Sequence, residues 1–471
     1  MTASCMMPII FPVTAHTQHV GPGSIFVAIA GFSQDGATYI PEALHKGAKT
    51  IVIQKDVQLS TDTLNAIQYH NAILVCVTNT RYALAELSAQ AAGYPANQLK
   101  IIGITGTKGK TTSAYLLTHI LQESGIKTAR ITGVKNSING HEMPASLTTP
   151  QPDYLHQFFK LCVEQEVTHV VMEVAAQALS LDRVATVIFD GIIFTNIARE
   201  HFEMYATMDD YFATKMRIFN HITPTSYCLA NADDSYGATI PNTISQVCTY
   251  GFGNNANIMA VEHRVGKGIS IEINNETYYC PSLIGHFNAQ NVLGVVLMAR
   301  RYGLTTQQIN ATLATFGSIP GRMERYTLSN GATCIIDYAH NPSSYEAFLS
   351  TLRPFTNHLI VLFGASGTRD KGKRPLMGTV AAQYADCIIL TADNPGPEDP
   401  LLIIEDIAKG IDAIHQHKII KEPDRKQAIH MAYKHAQAGS MIVLLGKGPD
   451  EYQVIKGVRH YFSEREIIQK L

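Results

Sequence analysis

The chain contains no tryptophan, and its eight cysteines (Cys5, Cys76, Cys162, Cys228, Cys248, Cys280, Cys334, Cys387) form no C-x-x-C pair. That scatter argues against a zinc site or a disulfide framework and for free thiols in a reducing, cytoplasmic setting. No apolar run approaches the ~18 residues of a membrane helix, so no membrane insertion is expected. The first residues, MTASCMMPIIFPV, lack a basic n-region, and no signal peptide is expected. Charge of either sign is never blocked: Lys+Arg 37 against Asp+Glu 39 gives −2. The electrostatic footprint of a nucleic-acid or anionic-membrane binder is therefore missing. Repeats and low-complexity linkers are missing too. What remains is an ordinary globular composition, 46% hydrophobic and 16% charged over 471 residues, long enough for about three domains.

One stretch organises the chain. Ile101-Ile102-Gly103-Ile104 reads as a short buried strand, and Leu116, Leu117, Ile120 and Leu121 follow at helical spacing. Between them runs Thr105-Gly106-Thr107-Lys108-Gly109-Lys110-Thr111-Thr112. Strand, glycine turn, Lys-Thr and helix form the context of a phosphate-binding loop, where inward N–H groups and the helix N-terminus attract anions. Lys110 can reach the β- and γ-phosphates, and Thr111 can ligate Mg²⁺. The usual pattern has glycine at the place of Ile104; here the glycine is Gly106, a tighter variant. A plain glycine-rich turn is the competing reading.

Weak boundaries near Tyr94-Pro95-Ala96-Asn97 and Ile319-Pro320-Gly321 divide the chain into 1–96, 97–320 and 321–471. The first segment reads as a small α/β unit, with strands at 24–29 and 50–53 and helices at 40–46 and 83–92. The second alternates strands (101–105, 128–132, 168–174, 187–194, 226–230) with helices. That alternation predicts a doubly wound, mostly parallel sheet with ligands beyond the carboxyl ends of its strands. Glu173 ends one apolar run, and Thr195-Asn196 ends another, followed by Arg199-Glu200-His201. Glu173 is either a solvated cap or, with His201, part of a divalent-ion site beside phosphates. Lys215, in YFATKMR, reads on its own as an exposed helix lysine. Asn288 and Asn291, at i and i+3, can pair with an adenine edge or cap a helix. The third segment alternates again, with strands at 333–337, 358–363, 386–391 and 441–445. Polar loops follow them: DYAHNP (337–342), GASGTRDK (364–371), DNPGPEDP (393–400) and GKGPDEYQ (446–453).

Together these stretches resemble the Mur ligase family, and most its MurE-type members, from about Gly23 to the C-terminus. The P-loop is common to the whole family and partly to folylpolyglutamate synthetases. Thr148-Thr149-Pro150, DNP with Glu398-Asp399-Pro400, DKGKRPLMG (370–378) and the 446–453 run are more specific. The resemblance implies an α/β fold of three domains: a UDP-sugar-recognition domain (1–96), an ATP-binding ligase domain (97–320) and an amino-acid-binding domain (321–471). It implies an ATP-dependent amide ligase that adds the third residue to UDP-MurNAc-L-Ala-D-Glu through an acyl phosphate. The enzyme would be a cytoplasmic monomer using ATP and Mg²⁺ with small-molecule substrates. Gly106 to Thr112 would hold ATP. Glu173, His201 and Thr111 would serve the metal, with Lys215 if carbamylated, which overturns the bland reading of that lysine. Asn288 and Asn291 match the adenine side, and Arg322 and Asp337 match C-terminal nucleotide contacts. Thr148, Thr149 and Arg183 match acceptor contacts. Arg369, Asn394, Gly446 and Asp450 match the pocket for the incoming amino acid.

The chain departs from the pattern in places. The usual Asp-Ser-Arg before the first strand is His16-Thr17-Gln18, and MEVSSHG reads Met172-Glu173-Val174-Ala175-Ala176-Gln177-Ala178. The arginine of DNPR, which grips the distal carboxylate of meso-diaminopimelate, is Gly396, and GKGHE is GKGPD. A second carboxylate would lack that bidentate partner, so the expectation is an amine without one, L-lysine first. A ligase of the same chemistry with another carboxylate substrate, and a non-catalytic nucleotide-binding protein, are the competing functions. A folylpolyglutamate synthetase has no place for the DNP and GKG runs.

Overall fold

The structure is a computed structural model of the chain, and it describes residues 7, 12–31, 34–200, 204–253, 255–263 and 268–471. Cys5, His201 and most of the N-terminal stretch therefore lie outside the described residues. The seven described cysteines are free.

Contacts divide the chain into two compact units. The first holds residues 1–262 with 271–278 and 290–313, and the second holds most of the remainder, from 314 to 471. Three large sheets organise the chain, two in the first unit and one in the second. The first, Val13–Thr14, Ile25–Val27, Thr50–Gln54 and Ile73–Val77, is four-stranded and parallel. Its last strand is absent from the sequence reading because ILVCV offers no alternation. Within the first unit this sheet packs with the central one: Thr14 Oγ1 donates to Asp153 Oδ2 at 2.7 Å.

The central sheet has nine strands. From edge to edge they are Ile258–Met259, Val247–Gly251, Ile222–Asn231, Phe189–Phe194, Lys100–Thr105, His169–Glu173, Thr128–Ile131, Lys135–Ile138 and His141–Pro144. Only the last two pairings are antiparallel, so Lys135–Ile138 alone runs against the rest. Lys100–Thr105 sits between Phe189–Phe194 and His169–Glu173, with Ile104 level with Glu173 and Thr105 level with Phe194. The run of apolar residues buried on both faces explains the parallel order. The connection from Thr105 runs to Thr128–Ile131 on one side, and the one from Glu173 crosses back past the central strand to Phe189–Phe194 on the other, so the exits of three strands meet at a topological switch point. Gly103 is where Phe189 crosses closely: a Cβ there would lie 2.8 Å from its ring.

The third sheet, in the second unit, runs Glu324–Thr327, Thr333–Asp337, Met441–Leu445, Leu359–Phe363, Cys387–Leu390, Ile419–Lys421. It is parallel but for its first strand. A hairpin, Tyr452–Ile455 with Val458–Tyr461, follows.

Candidate active site

Residues Thr105 to Lys110 turn tightly from strand into the helix Lys110–Glu123, which has no side-chain cap at Gly109. Gly106 has φ +140°, and a Cβ on it would fall 2.0 Å from Thr195 Oγ1. The tighter glycine spacing thus follows from close approach of the neighbouring strand exit. That exit clamps the loop. Asn196 Oδ1 accepts the Lys108 N–H at 2.9 Å, and Asn196 Nδ2 donates to the Lys108 carbonyl at 3.1 Å. Thr195 Oγ1 donates to the same carbonyl at 2.6 Å. Thr107 N–H bonds the Asn196 carbonyl at 2.8 Å, and Thr107 Oγ1 accepts the Ala198 N–H at 2.9 Å. Asp234 holds the exit in turn, accepting the Ile197 N–H at 3.1 Å.

Three lysines converge on this turn. Lys110 Nζ donates to the carbonyls of Gly106 and Thr107, both at 2.8 Å. Lys215 Nζ donates to the same Gly106 carbonyl at 2.8 Å. The exposed-lysine reading of residue 215 fails: it is 1% exposed. Its helix, Met208–Met216, starts at a capping box of Thr207 and Asp210. That start sets Tyr211 and Lys215, at i and i+4, on the buried face, with Nζ 4.6 Å from the ring centroid. Burial, then the charge of Lys110, drives the Lys215 pKa well below the lysine range. Burial also lowers Lys108, to about 8, against the opposing pull of Glu200.

Glu173, 2% exposed, faces the start of the same helix. Its Oε1 accepts from Thr111 Oγ1 at 2.8 Å and from the Gly133 N–H at 3.3 Å. A hydroxyl and a carboxylate held together are hard oxygen donors of the kind Mg²⁺ takes, so the residues present fit that ion. Asn291 closes the other side of the turn, where a Cβ on Gly109 would meet its Oδ1 at 2.3 Å. Asn288 Nδ2 instead donates to the Ile284 carbonyl at 3.0 Å.

Thr149 lies next to Glu173 through the backbone. Its Oγ1 donates to the Glu173 carbonyl at 2.9 Å and accepts the Ala175 N–H at 3.0 Å. Arg183 Nη1 bonds the Thr149 carbonyl at 2.9 Å. Burial, then the nearby Arg81, lowers the Arg183 pKa to about 10. Thr148 is half-buried, its Oγ1 2.9 Å from where a Gly133 Cβ would stand.

In the second unit the polar loops gather beyond the carboxyl ends of the third sheet. Asp337 accepts the Met323 and Ala339 N–H groups, both at 2.8 Å, and Arg322 lies over Tyr338 at 4.7 Å. Burial raises the Asp337 pKa, and Arg322 opposes it. A Cβ on Gly321 would lie 2.2 Å from Pro449 N, so Pro449 of the GKGP turn packs on the start of this segment. Asn394 Oδ1 accepts from Lys447 Nζ at 3.2 Å and from the Val454 N–H at 3.0 Å. Lys447 is 3.5 Å from Asp393. Gly446 has φ +104°, which turns the chain into Lys447. Arg369 is exposed on its loop.

Comparison with known proteins gives three domain matches. They are Mur ligase family, catalytic domain (residues 12–92), Mur ligase middle domain (104–299) and Mur ligase, glutamate ligase domain (321–448). The UDP-N-acetylmuramoyl-L-alanyl-D-glutamate–2,6-diaminopimelate ligase of Clostridium perfringens is 36% identical, covering 95% of this chain and 91% of that one. The Aquifex aeolicus protein of the same name is 36% identical, covering 98% and 93%. The chain belongs to the Mur ligase family. A solved structure of such a diaminopimelate ligase superposes with TM-score 0.65 at 26% identity, covering 98% of this chain and 94% of that one. The MurF ligase of Thermotoga maritima in complex with ADP shares the fold, with TM-score 0.64 at 16% identity over 97% and 96%.

As a Mur ligase the protein is an ATP-dependent, ADP-forming acid–amino-acid ligase with a three-domain α/β fold. Among the described residues no helix is long and apolar enough to cross a membrane. Several site groups escaped the sequence reading of this Mur ligase. Thr195 and Asn196 register in sequence only as a strand end, with nothing to say they hold the P-loop. Arg374, fully buried, bonds Glu398 and Asp406 at 3.1 Å each and ties DKGKRP to DNPGPE. Arg425 bonds Glu464 at 2.8 Å and the carbonyls of Ala392 and Leu445, the residues just before two pocket loops. Partners this far apart in sequence leave no local signal.

Proposed function

We propose that this ligase adds the third amino acid to UDP-MurNAc-L-Ala-D-Glu in peptidoglycan precursor synthesis, with Mg²⁺ assisting. The supporting observation is the convergence of Lys110, Lys215, Glu173 and Thr111 on one helix N-terminus. A carboxylate is a poor electrophile, so the acceptor carboxylate attacks the γ-phosphoryl of ATP and ADP leaves. Negative charge gathers on the transferring group, and Lys110 with the helix N-terminus offsets it. Mg²⁺, held by Glu173 and Thr111, would neutralise phosphate charge. The amine of the incoming amino acid then attacks the acyl phosphate carbon. The tetrahedral intermediate collapses to an amide and phosphate. Thr148, Thr149 and Arg183 would contact the acceptor, and Asn288, Asn291, Arg322 and Asp337 the nucleotide. His201 would add a metal ligand.

Lys215 acts after carbamylation. A buried lysine with a lowered pKa presents the neutral amine that attacks CO₂; the N–C bond forms as a proton leaves. The resulting carbamate anion suits the Lys110 ammonium beside it.

Two readings of the amine stand. Gly396 in place of arginine favours L-lysine. The names of the relatives favour 2,6-diaminopimelate. Phosphate release with UDP-MurNAc-L-Ala-D-Glu and a panel of amino acids tests the whole. If that acceptor fails to stimulate ATP cleavage with every amine, a ligase acting on another carboxylate is the answer.

A further inference from the structure

The space at Gly396 has a neighbour. Gly396, with φ +61°, has nothing within 4 Å of a Cβ position. Its N–H donates to the Val454 carbonyl at 3.0 Å, and its carbonyl accepts the Lys456 N–H at 2.6 Å. The segment after Asn394 is thus zipped to the hairpin. Across the hairpin Val454 pairs with Arg459 and Tyr452 with Tyr461, so Tyr452 and Arg459 share one face. The Arg459 guanidinium carbon lies 3.5 Å from the Tyr452 ring centroid, and Lys447 Nζ lies 5.5 Å from the same centroid. Lys447 is the group that bonds Asn394. Asp450 completes the cluster: it interacts with Tyr452, Lys447 and Arg459. Among the described residues the Arg459 side chain forms no hydrogen bond or salt bridge; the Tyr452 ring and the charge of Asp450 orient it, leaving its planar fork of donors for a ligand.

We propose that Arg459 receives the distal carboxylate of the incoming amino acid, in the place that Gly396 leaves empty. Asp450 meets the distal ammonium. The pair selects a diamino dicarboxylic acid over a diamino monocarboxylic acid such as L-lysine. Stacked on Tyr452 and pinned to Gly396 through Val454, Arg459 reaches the pocket from the hairpin, two strands away from where the usual arginine begins. The inference deepens the ligase reading above and rests on it.

The test uses the full-length enzyme as wild type, Arg459→Ala and Arg459→Lys, with meso-diaminopimelate and L-lysine. Turnover is read as phosphate release with UDP-MurNAc-L-Ala-D-Glu, and direct binding of each amino acid is read by calorimetry. Wild type should prefer meso-diaminopimelate. In Arg459→Ala the meso-diaminopimelate/L-lysine ratio of kcat/KM should fall ~10–100-fold, as expected for loss of a charge-assisted bidentate contact. The loss should lie in KM, and Arg459→Lys should restore part of it. Equal losses for both amines, an unchanged ratio, or a wild-type preference for L-lysine would each overturn the proposal. The calorimetric arm does not depend on the acceptor. If no turnover occurs but meso-diaminopimelate binding weakens in Arg459→Ala, Arg459 stands and the acceptor assignment falls.

Discussion

Asn196→Ala tests whether the strand-end clamp builds the phosphate cradle. The side chain makes two hydrogen bonds to Lys108, at 2.9 and 3.1 Å, and both are partly buried. Each is worth roughly 1 kcal/mol net, so about 2 kcal/mol of loop order is at stake. The Asn196 carbonyl bond to Thr107 and the Thr195 hydroxyl bond survive the change. The loop should therefore loosen without the sheet opening. ATP must then reorder the turn when it binds, and about 2 kcal/mol corresponds to a ~30-fold fall in kcat/KM for ATP. The KM for the amine should stay unmoved. Asn196→Asp keeps an acceptor for the Lys108 N–H but adds a negative charge near the phosphates, so it should be worse than alanine. The assay is initial-rate ADP formation over a range of ATP, with thermal melting in parallel. If melting falls by several degrees while kcat/KM for ATP stays within ~2-fold, the clamp supports the fold and not the nucleotide.

Lys108 has its pKa lowered to about 8 by burial, so its charge fades as pH rises through that value. ATP affinity should fall above about pH 8 with proton uptake on binding, and Lys108→Met should remove that dependence in titration calorimetry. His156 and His169 are buried with pKa values pushed down to about 4 by desolvation. The unfolded chain binds their protons near pH 6.5, so stability is present above that pH and drains as pH falls toward 4, by at most about 3 kcal/mol per histidine. Urea unfolding of His156→Gln should show a flatter acid limb. Arg374→Ala takes from Glu398 its buried partner and leaves it the Thr368 N–H and Lys371; Arg374 first and the Thr368 N–H second hold its pKa down at about 2. It should destabilise the second unit by ~2 kcal/mol, the worth of a charge-assisted hydrogen bond, and raise the KM for the amine more than that for ATP. Lys215→Arg cannot form a carbamate, so its turnover should collapse and fail to respond to added bicarbonate, while wild type gains from bicarbonate and shows the mass of one bound CO₂.

The glycine turn between its strand and helix, the central alternation and the four polar loops were legible because each is local. Glycines, a Lys-Thr pair and a helical stripe lie within a dozen residues and follow from backbone geometry. Lys215 shows the limit of that kind of reading. One lysine on an amphipathic stretch looks exposed unless its i−4 neighbour is known to be buried, and Tyr211 is an ordinary amphipathic residue in sequence. The small strands Lys135–Ile138 and His141–Pro144 were missed because KNSI-NG-HEMP is polar. Its Asn139-Gly140 turn, with both residues at positive φ, was the available signal. Tyr452–Ile455 and Val458–Tyr461 were missed for a related reason: the edge strand Val458–Tyr461 is exposed throughout, so no buried face imposes alternation.

The charge balance at the turn says what the cradle is built to hold. Lys108, Lys110 and Lys215 surround one short loop, two of them on the same carbonyl, while Glu173 is engaged by Thr111 and a backbone N–H. Like charges this close, in a site of reduced dielectric, repel unless one gives up its proton. The most deeply buried of them, Lys215, has its pKa driven well below the lysine range, by burial first and by Lys110 second. On the proposed reading the amine of Lys215 is the one poised for CO₂, and a carbamate there would place a negative charge beside the Lys110 ammonium.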